Sequence, residues 1–214
     1  MTSENPHSKD GSILFREASL SVASAFSLFQ GILLILLGFL VYGVEFGVFP
    51  LNSSGQLGLL LVFTSLQVLA LGQLLGGQYR RSWWLMVIGI VFAGTGIVSC
   101  IVPGILTDVI RILLGLQNII TGVLFLALQL VVPTARGMKS PPAEPVTLPP
   151  LLKRLGLVVT VLMIVSIVFG LNMLIPVLLP SLIGLVPFVV LFPVLVIILG
   201  LLTLYIVYIT QKLQ

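Results

Sequence analysis

Asp108 and Arg111 are the one acid–base pair set close together in an otherwise apolar part of this chain. Three residues apart, they share one face of a helix, where a carboxylate and a guanidinium can pair. Asp108 falls in the expected first turn, where a negative charge also suits the helix dipole. An unpaired cation at this depth is costly, so Arg111 is expected within reach of Asp108, Glu45 or outer-turn carbonyls. The same two charges could instead gate or bind a solute. The next polar candidates are amides: Gln67, Gln117 and Asn118. Such side chains bridge helices by hydrogen bonds worth roughly 0.6–2 kcal/mol, or they line a narrow polar path. Gln30, Gln73, Gln129 and Asn172 lie nearer the ends of apolar stretches and say less.

The chemistry these residues cannot do is equally clear. No stretch carries the chain of Asp, Glu or His that a proton relay needs. His7 is the only histidine and Cys100 the only cysteine. The sequence therefore offers no zinc-ligand cluster, nucleophile–base set, phosphate loop or internal disulfide. It predicts no enzyme, no cofactor and no metal.

The elements that position these groups are six apolar stretches, at 24–43, 57–76, 83–102, 109–131, 155–175 and 182–208. A helix of about 20 residues spans a hydrocarbon core of about 30 Å. The mean hydropathy is +1.26. With 58% hydrophobic and 7% charged residues, the solvent for most of the surface must be lipid. The expected class is an all-α membrane protein with six transmembrane helices in three hairpins. Segment 1–21 is polar; 24–43 is read as a retained span, although Lys9 and Arg16 also suit a signal peptide. Residues 22–132 form a four-helix unit, 133–150 a linker with six prolines, and 151–214 a third hairpin. The linker reads as a semi-rigid connector, or as a proline-rich docking motif.

Every Lys and Arg except Arg111 falls before span 1, between spans 2 and 3, between spans 4 and 5, or after span 6. Loops 44–56, 103–108 and 176–181 otherwise lack positive charge. The positive-inside rule then puts both termini in the cytoplasm. Scattered between spans, these charges form no nucleic-acid patch. Tyr79, Trp83 and Trp84 mark the inner interface and Tyr42 the outer one.

Small residues recur seven apart: Gly31 and Gly38; Gly58, Ser65 and Gly72; Gly89 and Gly96; Gly115 and Gly122. That spacing keeps them on one helix face, where small side chains let backbones approach. They are expected at helix–helix contacts. Pro50 and Pro103 fall in the outer turns of the first two hairpins. The third departs from the pattern: Gly170 and Gly200 remain, but Met163 and Pro193 stand where small partners are expected. Pro187 and Pro193 predict a kink or break in span 6.

The pattern of Gly31, Gly38, Pro50, Gly72, Gly89, Gly96, Pro103 and Gly122, with Trp83-Trp84 opening span 3, resembles the HdeD-type family of small prokaryotic membrane proteins. That resemblance implies a cytoplasmic-membrane protein of repeated two-helix units, with a link to acid resistance. The expected function is thus a non-enzymatic, stress-related or membrane-structural role, in contact with lipid and through self-association or other membrane proteins. The alternative is a passive channel or small-solute permease with a path near Gln67, Gln117, Asn118 and Arg111.

Overall fold

The computed structural model describes residues 22–49, 53–74, 83–102, 104–139, 149–180 and 188–213. They form six helices: α1 (Val22–Glu45), α2 (Ser53–Leu74), α3 (Trp83–Ile101), α4 (Thr107–Lys139), α5 (Pro150–Leu178) and α6 (Phe188–Leu213). Four contain stretches long and apolar enough to cross a membrane: Ser24–Val44, Thr107–Leu128, Pro150–Leu178 and Val190–Leu213. Shorter apolar stretches, Ser54–Leu66 and Met86–Ile101, lie in α2 and α3.

Local signals account for several boundaries. α1 is closed by a turn at Gly47, whose φ is +71°. There the Val48 N–H donates to the Gly43 carbonyl at 2.7 Å and the Gly47 N–H to the Val44 carbonyl at 3.0 Å. This is the Schellman arrangement, whose left-handed residue glycine adopts without a Cβ clash. Pro150 opens α5, where its missing N–H costs nothing. α6 starts after Pro187 and keeps Pro193 within it. α4 runs to Lys139, so 133–139, read from sequence as the start of the linker, is helical. A helix leaving the apolar layer need not stop there, because its polar end can continue into water.

Packing differs from the hairpin expectation. The most extensive contacts join α1 to α6, α2 to α3, and α4 to α5. α5 also packs on α6, while α1–α2 and α3–α4 touch less. The closest partners are thus the second helix of one hairpin and the first of the next, and α1 closes on α6. Glycine explains the choice: the faces that admit a backbone lie on these sides.

At the centre, Leu37, Val41, Leu57, Leu60, Leu61, Ile110, Leu114, Phe169, Met173, Leu195, Val196 and Leu199 form one buried cluster. Outward faces are apolar as well, with Leu36, Phe39, Ile90, Leu157 and Leu201 each more than half exposed. Apolar surface outside as well as inside needs lipid as its solvent.

The N-terminal segment 1–21, Pro50, Tyr79, Arg80 and Arg81, Pro103, linker residues 140–148 and Pro187 lie outside the described residues.

Candidate functional site

Three helix crossings dominate the molecule, and each is made by glycine on both sides. A methyl group built on Gly58 would stand 2.6 Å from the Gly96 carbonyl oxygen, and one on Gly96 equally 2.6 Å from the Gly58 carbonyl. For Gly115 and Gly170 the two distances are 2.9 and 2.6 Å; for Gly31 and Gly200 they are 3.1 and 2.8 Å. About two turns along, Gly122 meets the Met163 carbonyl at 2.9 Å and Gly38 the Pro193 carbonyl at 3.0 Å. Met163 and Pro193 therefore do stand opposite glycines, and the approach there is to their backbone. Ser65 is fully buried and its hydroxyl donates to the Val62 carbonyl at 2.6 Å. Gly89 is also buried. Gly72 and Gln67 belong to α2, but their side-chain surroundings lie outside the described residues.

The end of the α2–α3 pair that leads into α4 carries a polar tie. The Ser99 hydroxyl donates to the Ser54 carbonyl at 3.2 Å, and the Cys100 thiol to the Gly55 carbonyl at 3.4 Å. The Gly104 N–H donates to Ser54 Oγ at 3.2 Å. Gly104, with φ +89°, is the turn residue that brings α4 to this end. Serines at helix ends usually read as caps, so sequence alone did not single out this tie.

The polar candidates do not gather. Asp108 is exposed and Arg111 half-buried, and among the described residues they form no ion pair. This departs from the expected pairing with Asp108; the Glu45 side chain lies outside the described residues. Asp108 keeps the first-turn position that favours a carboxylate, and Arg111 can carry its head along its own stem to the interface. Asn118 donates from Nδ2 to the Leu114 carbonyl of its own helix at 2.9 Å. Gln117 Oε1 is buried without a partner.

Two amides prove more buried than their positions suggest. Gln56 is 7% exposed, with neither Oε1 nor Nε2 hydrogen-bonded. Asn172 is 5% exposed, with Oδ1 unpartnered. Asn172 does have a sequence signal: Pro176 follows four residues later, so the Asn172 carbonyl lacks its helical donor. Among the described residues, no group of three His, Cys, Asp or Glu could hold a metal ion.

No protein-family model matches this chain, and no curated protein or solved structure matches it significantly.

Proposed function

We propose that this chain crosses the cytoplasmic membrane six times, with both termini inside. On this reading it is a non-enzymatic protein of the HdeD type, with a stress-related or membrane-structural role. The carrying observation is the bundle centre, where Leu61, Ile110, Leu114 and Val196 are fully buried. A packed apolar centre suits a protein whose work is done through its shape and its outer faces. It does not suit one that conducts polar solutes, because transfer of unpartnered polar groups through such a layer costs several kcal/mol. α2 and α3, of 22 and 19 residues, complete the six spans because each is long enough to approach the thickness of the core. Charge supports the orientation: with six spans, all basic residues except Arg111 fall on one side. Exposed apolar faces suit lipid, self-association or a membrane partner equally well.

The second reading, a passive channel or permease, draws on half-buried Arg111 and on unpartnered Gln117 Oε1. Flux of glycerol, urea and amino acids into proteoliposomes separates the two. The first reading expects rates equal to those of empty vesicles. Flux above that level, lost in Gln117→Leu or Arg111→Ala, would replace it with the permease.

A further inference from the structure

α5, packed on α6, carries a buried amide whose acceptors lack donors, Asn172. The connector between these helices, 179–187, can reach only about 31 Å. α6 is about 39 Å long, so the two helices run antiparallel. Phe169 and Phe192 stack across them at 5.7 Å between ring centroids, which fixes the register. Asn172 lies three residues beyond Phe169, about one turn along α5. The i, i+3 relation also puts Asn172 on the α5 face that carries Phe169 toward α6.

Two oxygens of Asn172 lie here without helical donors. Asn172 Oδ1 is buried and unpartnered. Pro176, inside α5, has no N–H for the Asn172 carbonyl. In a lipid-immersed bundle such groups are satisfied by neighbouring polar groups or small guests.

We propose that the α5–α6 contact at Asn172 binds one small hydrogen-bond-donating guest, a water molecule or an ammonium ion. Asn172 Oδ1 and the Asn172 carbonyl accept from it. The site is neutral and its unpartnered oxygens are acceptors, so it favours a hydrogen-bond donor. It stands independently of the number of spans and of the role proposed above.

A mutant cycle on the full-length protein in detergent tests the site. Asn172→Leu removes one acceptor, and Pro176→Ala gives the freed carbonyl its N–H. If one guest bridges both, either change evicts it and the second adds little. The expected result is a non-additivity in Tm of about 2 °C or more. If nothing bridges them, each change relieves an unpaired group, both raise Tm, and the gains add; that result overturns the proposal. The guest is identified on the wild type. A water allows X-ray-generated hydroxyl radicals to label Phe169, which is 2% exposed, with no response of Tm to cations. An ammonium ion raises Tm in ammonium chloride over choline chloride at equal ionic strength, and Asn172→Leu flattens that response. Where the variants do not fold, a wild type with neither the labelling nor the cation response overturns the proposal.

Discussion

Gly58 and Gly96 cross backbone to backbone: a Cβ on either would lie 2.6 Å from the other's carbonyl oxygen. The nearest atom on each side is a backbone carbonyl, which no rotamer change at Val62 or Cys100 relieves, so only separation of α2 and α3 could make room. This contact converts a composition of small residues into a fixed pair of helices.

Gly58→Ala and Gly96→Leu should both destabilise the protein, by about 1–3 kcal/mol for overpacking of this kind. Gly94→Ala is the control on the same helix as Gly96. A Cβ at Gly94 meets nothing within 4 Å, and alanine is the better helix former by about 1 kcal/mol. Thermal unfolding in detergent should therefore rank Gly94→Ala at or above wild type and the other two below it. Equal melting of all three would mean the crossing is not tight.

Closure of α1 on α6 is open to cross-linking. A Cβ at Gly38 would stand 2.5 Å from Cγ1 of Ile197. In a Cys100→Ala background, Gly38→Cys with Ile197→Cys should form an intramolecular disulfide under mild oxidation. Gly94→Cys with Ile197→Cys should not. A gel shift in the second pair and none in the first would contradict the observed pairing.

The buried amide at Gln56 is a cost without a visible return, since both its polar atoms lack partners. Removing an unsatisfied buried group recovers about 1–3 kcal/mol. Gln56→Leu should raise Tm, whereas Gln56→Ala should gain less, because it leaves a void. A clear loss of stability in Gln56→Leu would show that the amide has a partner of its own.

Arg111 and Asp108 are unpaired with each other, so they should act independently. Asp108→Asn, at an exposed site, should shift stability by about 0.5 kcal/mol or less. Arg111→Leu should leave stability near wild type, and the double variant should be the sum of the two. Coupling between them in the unfolding measurements would restore the ion pair that their spacing first suggested.

The six-span orientation has its own test. Cysteines placed at Arg80 and at Asn52, again without Cys100, should react oppositely with a membrane-impermeant maleimide applied to intact cells. Position 52 should label and position 80 should not. Labelling of position 80 from outside would end the six-span reading.

The helices themselves were legible from the chain alone, because long apolar runs need no tertiary partner to declare their length, and backbone bonds within a helix are local. Gly31, Gly38, Gly58, Gly96, Gly115 and Gly122 could be picked out in the same way, since residues seven apart share a face whatever lies opposite. What lies opposite is a different matter. That Gly31 meets Gly200, and Gly115 meets Gly170, depends on which pairs of faces fit across the whole bundle, and α1 and α6 are the two ends of the chain. Spacing within a helix carries no information about that choice. Nor could it reveal that Asp108 and Arg111, neighbours on one helix, would form no ion pair, or that Asn172 would be buried. Burial is a property of the assembled bundle, and it decides which polar groups keep their water and which must find another partner.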